Sequence, residues 1–184
     1  MSKAQKSKII TIPNMLSMVR LLLIPVIVWL YCVKQEYIWT VVVLVLSALT
    51  DMVDGYIARH FNMVSDIGKA LDPIADKLTQ VATMFCLTTK FPLIWIPVIV
   101  LVVKEVLNAL FHLMVMKKTG VVYGADWHGK LTTCLLYATM ILHVLWAKIP
   151  MVVSNVCIIL CLCMMLVSMV LYTSQNLKRI READ

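Results

Sequence analysis

Runs of about twenty apolar residues recur along this chain with scarcely a break, and no other feature restricts its fold so far. A helix rises about 1.5 Å per residue, so roughly 20 apolar residues cross the hydrocarbon core of a bilayer. Six stretches of that size fit the sequence, at about 12–33, 37–59, 67–89, 92–116, 127–147 and 150–173. None shows the alternation of a barrel strand, so all six are read as helices. The links between them are short, which predicts one all-α integral membrane domain over 1–184, with short basic tails at 1–10 and 174–184. Composition agrees: 61% of the residues are hydrophobic, 15% are charged and mean hydropathy is +0.89. Soluble domains carry about 25% charged residues. A disordered chain, a coiled coil and a small disulfide-stapled domain are all excluded. The basic start leads into an apolar run, but no small-residue cleavage site follows Trp29–Tyr31, so the first stretch is kept as a helix.

The net charge of +7 reads as topology in so apolar a chain and implies no nucleic-acid partner. Lys3, Lys6, Lys8, Arg59, Lys69, Lys117, Lys118, Lys178, Arg179 and Arg181 fall on one side of the six-helix plan. The opposite links hold Lys34, Lys90 and Lys148. The positive-inside rule then puts both termini in the cytoplasm. Trp39, Trp95 and Trp146 fall at outer helix ends and Trp127 at an inner one, as an aromatic belt would. Arg20, Lys77, Lys104 and Lys130 remain for the bundle.

Half of the chain's 10 acids crowd into residues 51–76: Asp51, Asp54, Asp66, Asp72 and Asp76. Charges at membrane depth are costly, and within a span they mark function. At about 100° per residue, Asp51, Asp54, Gly55 and Ala58 share one arc at the end of the second helix. Gly68, Asp72 and Asp76 follow at four-residue intervals along the third. A turn near His60–Asp66 makes the two helices antiparallel neighbours, so four carboxylates can converge. Unneutralised, they would repel one another. An oxygen-only set of this kind suits hard divalent cations, Mg²⁺, Mn²⁺ or Ca²⁺, and two of them would form a clamp for phosphoryl chemistry. Small residues at Gly55, Ala58 and Gly68 allow a substrate close to the backbone. Arg59 can fork onto a pyrophosphate.

The run LTDMVDGYIARHFNMVSDIGKALDPIADK at 49–77 resembles the signature of the CDP-alcohol phosphatidyltransferase family, D-x2-D-G-x2-A-R-x8-G-x3-D-x3-D. It agrees at every fixed position: Asp51, Asp54, Gly55, Ala58, Arg59, Gly68, Asp72 and Asp76. TIPNMLSMVRLLLIPV at 11–26, LDPIADK at 71–77 and HGKLTT at 128–133 are similar to segments of the bacterial phosphatidylglycerophosphate synthases within that family. The resemblance implies the six-helix CDP-alcohol phosphotransferase fold, a homodimer, and a two-metal site facing the cytoplasm of the cell membrane that takes CDP-diacylglycerol. It implies metal ligation by Asp51, Asp54, Asp72 and Asp76, with Asp76 as general base. Asp51, Gly55, Ala58, Arg59 and Gly68 would line the CDP-diacylglycerol site.

The second substrate implied is a small alcohol phosphate, glycerol 3-phosphate. Its phosphate calls for fixed cations, for which Lys104 and Lys130 are the candidates. The synthases usually carry Arg-Glu where this chain has Lys104-Glu105, and Arg near the position of His112. Lysine does not reproduce a bidentate grip on phosphate, so a cardiolipin synthase of the same family, with phosphatidylglycerol as acceptor, stays open. A cation transporter is the alternative from another class. Its expected paired repeats are missing, because residues 100–184 hold no counterpart of the acidic hairpin. Lys77, beside the base, is read either as a counter-ion or as a catalytic group. The six cysteines, including Cys157, Cys161 and Cys163, are read as small apolar residues within spans, and the four histidines are too scattered for a zinc site.

Overall fold

The computed structural model describes residues 12–60, 66–119, 127–146 and 148–182, with side chains placed for 14–50, 53, 74–118, 127–146 and 148–181. Six long α-helices account for nearly all of the described residues: α1 (Ile12–Val28), α2 (Tyr37–His60), α3 (Asp66–Leu87), α4 (Trp95–Thr119), α5 (Trp127–Leu145) and α6 (Met151–Glu182). A π-helical turn, Trp29–Lys34, prolongs α1, and a 3₁₀ turn, Pro92–Ile94, leads into α4. No strand occurs among the described residues. Each helix overlaps one of the six apolar stretches. The largest difference is at the C-terminus, where the tail expected from 174 is a continuation of α6 to Glu182. At about 1.5 Å per residue its 32 residues reach about 48 Å, well beyond a hydrocarbon core of about 30 Å. The N-terminal tail, 1–10, lies outside the described residues.

Among the described residues, three segments are long and apolar enough to cross a membrane: Asn14–Lys34, Pro92–Lys118 and Met151–Arg181. Tyr37–Thr50 forms a shorter apolar helix. The outward faces are apolar too, with Leu22, Ile38, Val152 and Val170 each more than 60% exposed. Such a surface is unstable in water and matched to lipid. The chain is a membrane protein.

Two compact units divide the chain, Met1–Cys86 and Leu87–Asp184. In the first, α1 packs along α2. The connection is tight because Gln35 adopts the left-handed conformation (φ 57°), which ends the helix much as a glycine would. The Glu36 N–H bonds back to the Leu30 carbonyl at 3.0 Å, and Thr40 Oγ1 donates to the Glu36 carbonyl at 2.8 Å. The buried face of α1 and its π-helical continuation is Asn14, Ser17, Arg20, Ile27 and Tyr31, and that of α2 is Thr40, Leu44 and Ser47. Both follow the helical period, and both are rich in polar and small groups. In lipid, where apolar burial drives little, such residues bring helices together.

In the second unit α6 packs against α4 and α5. From Ser154 to Tyr172 its buried positions, Ser154, Ile158, Cys161, Met165, Ser168 and Tyr172, alternate steps of four and three, the spacing of a knobs-into-holes seam, and Asn176 follows one turn later. Side-chain contacts tie the unit at two levels. At one level the His143 ring meets Phe91 edge-on at 4.9 Å and the Ser154 hydroxyl at 2.9 Å. The Thr139 carbonyl, 2.8 Å from His143 Nδ1, can only accept. Nδ1 therefore carries the proton, and Nε2 accepts from Ser154. At the other level Tyr172 contacts both His128 (5.5 Å, edge-on) and His112 (6.0 Å). His128 Nδ1 also lies 3.2 Å from Ser168 Oγ. These two levels make α4 and α6 parallel, with α5 antiparallel to both.

Candidate active site

The signature lies on two helices of the first unit. Positions 51, 54, 55, 58 and 59 occupy the last turns of α2, which stays helical to His60. Positions 68, 72 and 76 fall in the first half of α3, which begins at Asp66. The helical spacing that the motif requires is therefore present on both sides of the 61–65 link. The side chains of Asp51, Asp54, Gly55, Ala58, Arg59, Gly68 and Asp72 lie outside the described ones, as does the link itself.

Asp76 is described, and its surroundings are specific. Its side chain is 15% exposed. Gln80, one turn later, places Nε2 at 3.0 Å from Oδ1 and 2.9 Å from Oδ2, so a single amide nitrogen spans both carboxylate oxygens. Lys77 Nζ is 3.3 Å from Oδ2. Gln80 is fully buried, and its Oε1 has no hydrogen-bond partner. Below it, Thr79 and Thr83 donate to the carbonyls of Ala75 and Thr79 at 2.9 and 2.8 Å, which satisfies two more buried hydroxyls within the helix. Lys77 thus has the geometry of a counter-ion. Gln80 escaped the sequence reading, although an Asp followed four residues later by Gln in an apolar helix is a legible signal.

Lys104 and Lys130 belong to the second unit. Lys104 is buried, 4% exposed, and its ammonium is 3.5 Å from Oε1 of the adjacent Glu105. Lys130 is exposed, near the start of α5. The Tyr172 contacts put His112 and His128 at one level. From there Lys104 lies about 12 Å along α4, and Lys130 about 3 Å along α5. Their backbones are therefore about 9 Å apart in depth, and Lys104 pairs with Glu105. His112, at the position where an arginine is usual, takes part in the ring contact with Tyr172.

Among the described residues no three His, Cys, Asp or Glu gather as metal ligands, and the other three carboxylates of the signature lie outside that set. None of the six cysteines forms a disulfide.

The model of the CDP-alcohol phosphatidyltransferase family matches residues 10–177. A relative from Aquifex aeolicus named CDP-diacylglycerol–glycerol-3-phosphate 3-phosphatidyltransferase is 32% identical over 188 aligned residues, 92% of this chain and 97% of the relative. A relative of the same name from Rickettsia typhi is 37% identical over 98 residues, covering 52% of this chain and 55% of its own length. A cardiolipin synthase (CMP-forming) from Streptomyces coelicolor is 37% identical over 106 residues, covering 54% of this chain and 49% of its own length. The chain thus spans about half the length of several curated relatives and nearly the whole of another. With all but the ends of the sequence matched to one family model, the chain belongs to the CDP-alcohol phosphatidyltransferase family, enzymes of phospholipid synthesis.

Proposed function

We propose that this chain transfers a phosphatidyl group from CDP-diacylglycerol to glycerol 3-phosphate, giving phosphatidylglycerophosphate and CMP. The observation that carries the reading is the complete signature on α2 and α3, ending in the half-buried Asp76 with Gln80 across both its oxygens. Asp76 takes the proton of the acceptor hydroxyl. The resulting oxygen attacks the lipid-bearing phosphorus, and the bond to CMP breaks. Gly55, Ala58, Gly68 and Arg59 hold the cytidine diphosphate portion. Asp51, Asp54, Asp72 and Asp76 are the residues that would hold two divalent cations, Mg²⁺ or Mn²⁺. The described surroundings fit hard cations, since Asp76 offers carboxylate oxygen that is not fully buried. When bound, such ions neutralise the charge that develops as the pyrophosphate splits.

Glycerol 3-phosphate is preferred as acceptor because the relative that aligns along nearly its whole length carries that name. Lys104 and Lys130 are proposed to face its phosphate. Phosphatidylglycerol is the second reading, favoured by the Streptomyces relative and by Lys104 and His112 standing where arginines are usual. Family membership removes the basis for a cation transporter. All six helices are proposed to span the cell membrane, with both termini and the acidic site on the cytoplasmic side, in a homodimer. The test is to incubate the purified protein with CDP-diacylglycerol, Mg²⁺ or Mn²⁺ and a panel of acceptors, and to identify the lipid by mass. Phosphatidylglycerophosphate is the expected product; cardiolipin from added phosphatidylglycerol would establish the second reading.

A further inference from the structure

Gln80 lies outside the eight-residue signature, one turn beyond its last aspartate. Its side chain is fully buried, and its amide nitrogen contacts both carboxylate oxygens of Asp76. The opposite amide orientation would set Oε1 against those two oxygens, so acceptor repulsion fixes the side chain as it stands. Oε1 is left buried without a partner. Packing alone is better served here by an apolar side chain, because a buried amide with one end unpaired is unfavourable. What the amide does accomplish is local. The terminal torsion of an aspartate is broad and roughly two-fold, and Lys77 lies 3.3 Å from Oδ2. A donor that spans both oxygens sets the plane of the carboxylate.

We infer that Gln80 is a positioning residue, holding the Asp76 carboxylate in the orientation that the phosphatidyl transfer proposed above requires, and the inference rests on that reading. An ionised carboxylate has about four lone-pair sites. Gln80 and Lys77 approach three of them. Gln80 is fully buried, so its effect runs through its contact with Asp76.

The test compares Gln80→Leu and the flexible, similar-sized Gln80→Met with Gln80→Lys, which keeps a donor at the same helical spacing. In full-length protein, kcat for CMP release is expected to fall about 10- to 100-fold in the Leu and Met variants, the usual loss when a residue orienting a ligand is removed. KM for CDP-diacylglycerol should stay within about twofold. Gln80→Lys should recover most of the lost turnover. A second readout is Mn²⁺ binding followed by electron paramagnetic resonance without substrate. Gln80→Leu should weaken it in the wild-type background and change nothing further in Asp76→Asn. Normal kcat in Gln80→Leu and Gln80→Met would overturn the inference, as would equal losses in all three variants accompanied by lowered thermal stability. A wild-type protein that releases no CMP would instead overturn the proposed function, while the Mn²⁺ comparison still reads the link between Gln80 and Asp76.

Discussion

Replacing Asp76 by asparagine changes one oxygen to an amide and keeps the shape of the side chain. In the native arrangement Gln80 Nε2 reaches both oxygens, at 3.0 and 2.9 Å, and Lys77 lies 3.3 Å from one of them. Whichever way the new amide turns, its NH₂ group faces the Gln80 NH₂ group, so one hydrogen bond is lost and two donors oppose each other. Gln80 is fully buried, and a buried donor left unpaired costs about 1–3 kcal/mol. For a chain of 150–250 residues each 1 kcal/mol shifts the melting temperature by about 2–4 °C. Asp76→Asn should therefore stay folded and melt a few degrees lower. Its chemistry should suffer far more. Loss of a general base costs about 10²–10⁴-fold, equivalent to about 2.7–5.4 kcal/mol of barrier. The assay is CMP release from CDP-diacylglycerol in detergent, alongside equilibrium binding of the same lipid. Turnover should collapse while binding persists. Near-normal turnover would show that the proton goes elsewhere and refute the role given to Asp76.

Chelation by EDTA should abolish activity and Mg²⁺ or Mn²⁺ restore it, while Asp51→Asn and Asp72→Asn should each lose more than about 10²-fold; undiminished CMP release in excess chelator would dismiss the metal site. Lys104→Ala or Lys130→Ala should raise KM for glycerol 3-phosphate at least about tenfold, or about 1.4 kcal/mol, with little change for CDP-diacylglycerol. Kinetics that show unchanged KM in both variants would remove them from the acceptor site. Ser154→Ala strips the donor from His143 Nε2, 2.9 Å away, and leaves a buried acceptor unpaired. Thermal unfolding should register a loss of about 1–3 kcal/mol, with kcat unchanged.

Much of this protein is legible in the residue order, for a physical reason. In lipid every backbone group must be satisfied within its own segment, so an apolar run of sufficient length becomes a helix whatever its neighbours do. Each of the six stretches accordingly overlaps one helix, α1 to α6, and among the described residues three segments are long and apolar enough to cross a membrane. The signature is legible because its residues lie on two consecutive helices, and helical spacing alone assigns Gly68, Asp72 and Asp76 to one series of turns. The pairing of Asp76 with Gln80 is also local, four residues apart, but sequence gives no indication that the amide spans both oxygens or that its far end stays unpaired. That depends on what closes around α3. The second unit is less legible still. Lys104 reads in sequence as a cation available to a phosphate, whereas packing buries it beside Glu105. His112, His128 and His143 read as scattered, yet two of them meet Tyr172 and the third bridges Thr139 and Ser154. Helix period determines which residues share a face. Only the packing of one helix on another decides which faces meet, and at what depth.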